Sequence, residues 1–242
     1  MNRTCALIPA RSGSKGIKDK NIVKIGGRVL LEWSIQACKR SKHIDEIIIT
    51  TDSKEYAELA LNLGASVPFL RPKEISTDYS TDYEFIEHFL NWQKDNGKQS
   101  ELIAHIRPTT PFRDPKIIDE AIEYYLSSKI NPTSLRSVHP MAESAYKTFE
   151  ISNLGTLSCV GTNDPELDKA NEARQSFPET YVANGYIDIL SREFIQRNKK
   201  IHGDKVLPFI TPITHELDRL EDVDYLEFQL NRNKEIFSKV FK

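Results

Sequence analysis

The chain has 242 residues, long enough for one large α/β domain with a substantial core. Its 39% hydrophobic and 28% charged content is that of a soluble globular protein, and a net charge of −2 argues against a general nucleic-acid binder. No apolar run approaches the ~18 residues of a membrane span, and Ala6-Leu7-Ile8 is far too short for the core of a signal peptide.

In chain order, residues 5–10 read as a strand, followed by the loop in "IPARSGSKGIKDKN" (8–21). Residues 30–42 read as a helix, with Leu31, Ile35 and Cys38 on one face. A second strand covers 46–51, and Asp52-Ser53 is a natural N-cap for a helix over 54–63 that Gly64 closes. A third strand is expected at 66–70, a helix at 81–95, a strand at 102–106 and a helix at 116–128. From about 139 to 182 this rhythm stops, and a polar stretch reads as an excursion from the sheet. Regular structure resumes with "YVANGYIDIL", a helix near 192–198, a strand near 206–210 and a final helix from Glu221 onward. Continuous apolar strands separated by helices predict a doubly wound, mostly parallel sheet covered on both faces. In such sheets ligands sit beyond the carboxyl ends of the strands, where the loops after the strands converge.

Cys5, Cys38 and Cys159 are odd in number and widely spaced, which suits reduced, buried thiols in a cytoplasmic protein. The six histidines lack the spacing of a zinc helix, and no serine-hydrolase elbow is present.

The loop after the first strand has neither the spacing of a P-loop nor that of a dinucleotide fold. It does carry Arg11, Gly13, Ser14, Lys15, Gly16, Lys18, Lys20 and Asn21. Two glycines allow backbone N–H groups to turn toward an anion, and the cations neutralise a multiply charged one, so the loop reads as a phosphate site. Near the other end, alternation puts Glu216 and Asp218 on one side of an extended segment. Asp222 and Asp224 read as acids at the start of the last helix.

"IPARSGSKGIKDKN" resembles the signature of the acylneuraminate (nonulosonate) cytidylyltransferases, matching it at Ala10, Arg11, Ser14, Lys15, Gly16, Lys20 and Asn21. The segments "IIITTDS", "LRPKEISTD", "RPTTPFRD", "ARQSFPETYVANGYIDI" and "HELDRLEDVDYLEF" follow in the family's order and span essentially the whole chain. The resemblance implies a single Rossmann-like nucleotidyltransferase domain over 1–242, with a lobe at about 139–182 for dimerisation. It implies transfer of CMP from CTP to the anomeric hydroxyl of a sialic, legionaminic or pseudaminic type of acid, with Mg²⁺ as cofactor and no nucleic-acid or membrane partner. Arg11 and Lys20 are the implied catalytic residues. Arg11, Ser14, Lys15, Lys20, Asn21, Arg71 and Ser80 would hold the nucleotide. Arg107, Lys147, Arg174, Gln175 and Asn184 would face the sugar, and Asp218 and Glu216 the metal.

The sequence departs from that pattern at three places. Arg107 stands where neuraminate-activating members carry Gln, Val182-Ala183 replaces a frequent Arg-Pro, and Glu216 replaces an Asp. An added cation at Arg107 would suit a carboxylated sugar. The alternatives are transfer to an eight-carbon 3-deoxy acid or a sugar 1-phosphate, or a non-catalytic nucleotide-binding homologue. The Arg174-Gln175 and Asn184-Gly185 segments argue against the first two, and the joint presence of Arg11, Lys20 and Asp218 argues against the third.

Overall fold

The computed structural model describes residues 3–160 and 167–242. Strand β1 (Thr4–Pro9) leads into the polar loop and then a small hairpin, β2 (Lys24–Ile25) and β3 (Arg28–Val29). Helix α1 (Leu30–Arg40), strand β4 (Glu46–Thr50) and helix α2 (Lys54–Asn62) follow. Next come α3 (Asp82–Asp95), β5 (Leu102–His105), α4 (Pro115–Ser127) and β6 (Ser134–Pro140). A hairpin of β7 (Phe149–Ile151) and β8 (Leu157–Cys159) precedes the long β9 (Tyr181–Ser191). The chain then forms α5 (Arg192–Asn198), β10 (Val206–Ile210), α6 (Leu220–Arg232) and α7 (Lys234–Phe241). Among the described residues, no helix is long and apolar enough to cross a membrane.

Six strands form one sheet in the order β10-β6-β9-β5-β1-β4. All neighbours are parallel except β9, which runs antiparallel between β5 and β6. The expected α/β fold with a mostly parallel sheet is therefore present, with one strand reversed. Alternation along the strands divides the core by face. Ala6 and Ile8 pack with Trp33, Ile35 and Ile118 on one side, whereas Cys5 and Leu7 pack with Phe85, Ile86, Phe89 and Ile195 on the other. Trp33 is fully buried, donates its indole N–H to Ile25 O at 3.0 Å, and meets Phe112, Phe237 and Phe241 edge-on. Truncating it to alanine would cost about 3–5 kcal/mol, as for large core aromatics generally.

The helix starts are set by local chemistry. Ser53 Oγ accepts the Tyr56 N–H to cap α2, Asp114 accepts the Lys116 N–H before Pro115 opens α4, and Ser191 caps α5. Gly64, at φ 84°, ends the α2 turn as expected. Asp222 accepts the N–H groups of Asp218 and Arg219, in agreement with its reading as a helix-start acid.

Three expectations are corrected. The strand expected at 66–70 is a single bridge, with Ser66 exchanging bonds with Ile47 and Ile49, because Pro68 has no N–H to continue a ladder. The final helix is two helices, broken at Asn233, whose φ −127° and ψ 89° are not helical. Strand β6 lies where no strand was expected: its "SLRSVHP" mixes polar and apolar residues, yet Ser134 and Ser137 are fully buried. The excursion therefore begins just after Pro140, and its residues 161–166 lie outside the described residues.

Between β6 and β9 the ladder is interrupted. Arg136 pairs with Asp188 and Val138 with Ala183, so residues 184–187 of β9 bulge opposite Ser137 alone. Ser137 Oγ spans this gap, donating to Asn184 O and accepting the Ile187 N–H.

Candidate active site

The loop after β1 is held from beneath. Ala10 N–H continues the β1 register to Thr50 O, and Asp52 accepts both the N–H and the hydroxyl of Ser12 at 2.7 Å. Burial opposes the charge on Asp52, but those Ser12 bonds hold its carboxyl below the usual range. Asn21 Nδ2 donates to Arg11 O at 3.0 Å, and the left-handed Asp19 (φ 53°) accepts from Tyr56 Oη at 2.9 Å.

A pocket of about 240 Å³ opens in front of this loop. Arg11, Ser14, Lys20, Asn21, Arg71 and Ser80 line it, together with Asp82, Phe85 and Arg107. Six of the seven residues expected to hold a nucleotide thus surround one cavity. The seventh, Lys15, lies at the outer edge of the loop, paired with Asp78 at 2.8 Å. Arg71 is buried against Phe85, its guanidinium carbon 4.8 Å from the ring centre, and donates through Nε to Thr50 Oγ1 and through Nη2 to Thr50 O. Burial brings it down to about 10, so it remains cationic at neutral pH. Ser80 Oγ accepts the Thr77 N–H at 2.9 Å, closing a tight turn beside the cavity.

The cations of the loop are matched by carboxylates from distant segments. Arg11 and Lys15 share Asp78, at 2.7 and 2.8 Å, and Lys20 Nζ meets Asp218 Oδ1 at 2.9 Å. Hydrogen bonding to Lys15, then to Arg11, holds the Asp78 carboxyl below the usual range.

The acidic segment alternates as expected. Leu217 is fully buried and its N–H bonds to Thr109 O at 2.8 Å, while the flanking Glu216 and Asp218 are held by other partners. Glu216 Oε1 accepts the Gly185 N–H at 2.8 Å, and Asp218 reaches Lys20. A Cβ on Gly16 would come within 2.8 Å of Asp218 O, so the absence of a side chain there lets the two segments touch. Asp218, against Lys20, and Glu216, at the Gly185 N–H, are hard carboxylates of the type that Mg²⁺ takes one or two of, with water and anionic oxygens in its other positions. Among the described residues, no group of three or more His, Cys, Asp or Glu forms an all-protein metal cage.

The residues expected on the sugar side are not gathered in one place. Arg107 lines the first pocket, but its guanidinium is already claimed by Asp188 at 2.9 Å and Asp82 at 2.7 Å. This is not the added cation that the sequence suggested, since two carboxylates outweigh its charge. Arg174 and Gln175 line a second pocket of about 470 Å³ with Met141, Ser144 and Phe177, and the two pockets share no residue. Lys147 lies in the same lobe over the Phe177 ring and donates to Glu172 O. Asn184 is buried. It donates to His139 Nδ1 and Thr211 Oγ1 and accepts the Tyr186 N–H, and it lines neither cavity.

Four carboxylates of the site escaped the sequence reading as functional groups. Asp52 was visible only as a cap, Asp78 only as the last residue of "LRPKEISTD", and Asp82 only as a residue of the helix expected at 81–95. Asp188 had a better signal, a lone carboxylate between Ile187 and Ile189 in an apolar strand, which burial permits only with a partner such as Arg107.

Residues 5–232 match the family model described as cytidylyltransferase. An N-acylneuraminate cytidylyltransferase of Escherichia coli O18:K1:H7 is 32% identical over 233 residues, covering 95% of this chain and 53% of that protein. A CMP-N,N'-diacetyllegionaminic acid synthase of Legionella pneumophila is 30% identical, covering 92% of this chain and 93% of that one. The chain therefore spans about half the length of the first relative and nearly all of the second. Among solved structures, a CMP:2-keto-3-deoxy-manno-octonic acid synthetase complexed with CTP superimposes with a TM-score of 0.69 at 11% identity, covering 95% of this chain and 99% of that one. At that identity the likeness is one of fold.

Proposed function

This chain belongs to the cytidylyltransferase family, and from that premise we propose that it transfers CMP from CTP to the anomeric hydroxyl of a nine-carbon acidic sugar of the sialic, legionaminic or pseudaminic type. The observation that carries the reading is the convergence of Arg11, Ser14, Lys20, Asn21, Arg71 and Ser80 on one cavity, with Asp218 against Lys20. The named activities of the two relatives supply the acceptor class.

In the proposed reaction the anomeric hydroxyl releases its proton to solvent as its oxygen forms a bond to the α-phosphorus, the bond from that phosphorus to the bridging oxygen breaks, and pyrophosphate leaves with the electron pair. Arg11 and Lys20 neutralise the charge that collects on the departing group, and their fixed positions avoid the cost of reorganising solvent. Arg71 and the turn at Ser80 close the base side of the cavity. Glu216 and Asp218 would hold Mg²⁺, which when bound screens the phosphate charge and polarises the phosphoryl oxygens.

The lobe supports assembly as a homodimer. Ile151, Leu154 and Leu157 on and beside the β7–β8 hairpin are 76%, 90% and 53% exposed, an apolar patch that a second subunit would cover. Three buried, unpaired thiols are in keeping with a reducing, cytoplasmic location.

Pyrophosphate release from CTP, measured across nine-carbon acids, eight-carbon 3-deoxy acids and sugar 1-phosphates, tests the assignment. Release confined to nine-carbon acids is expected. Preference for an eight-carbon acid would move the chain to the alternative acceptor class, and CTP binding without release on any acceptor would overturn catalysis.

A further inference from the structure

The bulge at residues 184–187 removes the carbonyls of Gly185 and Tyr186 from regular pairing with β6, and buried carbonyls need donors. Both receive them from one side chain. Arg113 is fully buried, donating through Nε to Tyr186 O at 2.6 Å and through Nη2 to Gly185 O. The same guanidinium donates to Arg107 O and Thr110 O in the loop after β5, and to Ser34 Oγ on α1 at 3.1 Å. All five acceptors are neutral oxygens. Burial brings the guanidinium down to about 10, so it stays charged at neutral pH and its bonds are charge-assisted.

Three consequences meet at Gly185. Its carbonyl is held by Arg113, its N–H by Glu216 Oε1, and its missing side chain leaves room for the loop. A Cβ there would lie 2.6 Å from Thr110 Oγ1, 3.1 Å from Glu216 Oε1 and 3.2 Å from Arg107 Cβ. The bulge, the loop after β5 and the acidic segment are thus fastened at one peptide unit.

We propose that Arg113 is a positioning residue for this site: by clamping the bulge of β9 to the loop after β5, it aims the Gly185 N–H that orients the Glu216 carboxylate. It touches neither nucleotide nor metal and acts through Gly185. The metal-facing part of this inference rests on the reading of Glu216 given above.

Arg113→Lys keeps the charge but cannot supply the fork, and Gly185→Ala leaves Arg113 in place while crowding Thr110 Oγ1 at 2.6 Å and Glu216 Oε1 at 3.1 Å. Both are measured by Mn²⁺ binding in the presence of CTP, followed by electron paramagnetic resonance, by metal-free CTP affinity and by exchange of the Gly185 amide proton. In each variant Mn²⁺ affinity should fall about tenfold, a loss typical of removing groups that orient metal ligands, while metal-free CTP affinity changes less than about twofold. In Arg113→Lys the Gly185 amide, 72 residues away in sequence, should exchange faster. Unchanged Mn²⁺ affinity and unchanged Gly185 exchange would overturn the proposal, as would an equal loss of metal-free CTP affinity. If Arg113→Lys does not fold, Gly185→Ala decides alone, and unchanged Mn²⁺ affinity there rejects it. Mn²⁺ affinity left unchanged by Glu216→Gln alone would remove the metal reading, leaving Gly185 exchange to judge the clamp.

Discussion

Lys20 Nζ stands 2.9 Å from Asp218 Oδ1, although 198 residues separate them in the chain. The pair joins the loop after the first strand to the segment before α6, and so brings the cation that would face the leaving phosphates beside a carboxylate that would face the metal. Lys20 is the more enclosed partner, with a side chain 15% exposed against 65% for Asp218. The lysine is fixed and the aspartate is open to a ligand.

Replacing Lys20 with Met should lower kcat/KM for CTP by about 100-fold or more, the usual effect of removing a preorganised charge from a transition state. Asp218→Asn should lose activity at low Mg²⁺ and recover part of it at high Mg²⁺. Steady-state kinetics over a Mg²⁺ series checks both, and an unshifted Mg²⁺ dependence in Asp218→Asn removes that residue from the metal site.

Asp78 sits where it satisfies Arg11 and Lys15 together, so a triphosphate must compete with it. Asp78→Asn should therefore tighten CTP binding by about two- to threefold at low salt, the small effect expected of exposed ion pairs, and the gain should fade as salt rises. Calorimetric titration at two ionic strengths measures it; weaker binding in the variant would mean that Asp78 orders the cations instead of competing for them.

Gly16 has no positive φ to protect, so its substitution tests the contact alone. Gly16→Ala drives a Cβ to 2.8 Å from the Asp218 carbonyl, a backbone atom that cannot rotate away. The expected cost is about 1–3 kcal/mol of stability, with KM for CTP raised, because overpacking at a backbone contact forces both segments to shift. Denaturant melts and initial rates read the two effects.

His105 is fully buried between Asp82, Arg107 and Asp188, and burial, aided by the Arg107 charge, pulls it down to about 4 from its usual 6.5. A histidine lowered on folding binds its proton more readily in the unfolded chain, so its contribution is whole above pH 6.5 and is lost as pH falls toward about 4. That span corresponds to roughly 3 kcal/mol at about 1.4 kcal/mol per pH unit. His88 and His202 are lowered too, also chiefly by burial. Unfolding midpoints between pH 7 and 4.5 should fall steeply in the wild type and less steeply in His105→Gln; parallel curves would reject the assignment to His105.

The parts of the fold legible in the sequence were those where one signal acted alone. The apolar run of β1, the capped helix over Lys54–Asn62 and the Pro115 start of α4 each announced themselves locally. Strand β6 did not, because its Ser134 and Ser137 are buried by pairing with β9 and by bonds to His202 and the bulge, none of which is local in sequence. The nucleotide side of the site was readable for a similar reason: most of its residues cluster in one loop of characteristic spacing. The counter-charges were not, since Asp78, Asp82 and Asp188 acquire their meaning only when Arg11 and Arg107 are folded against them. Arg107 shows the limit most directly, as a lone cation in the sequence that the fold neutralises twice over.

The interrupted pairing of β9 divides one strand between two neighbourhoods. Tyr181, Val182 and Ala183 are exposed beside the lobe, whereas Asp188 to Leu190 are buried in register with β5. The four residues between them absorb any mismatch, so the outer end can change without forcing the inner end out of step. Substitutions at 181–183 could then accumulate without disturbing the buried register of Asp188 to Leu190 with β5. The bulge is in that sense a mechanical joint, separating an exposed strand end from a buried one within a single strand.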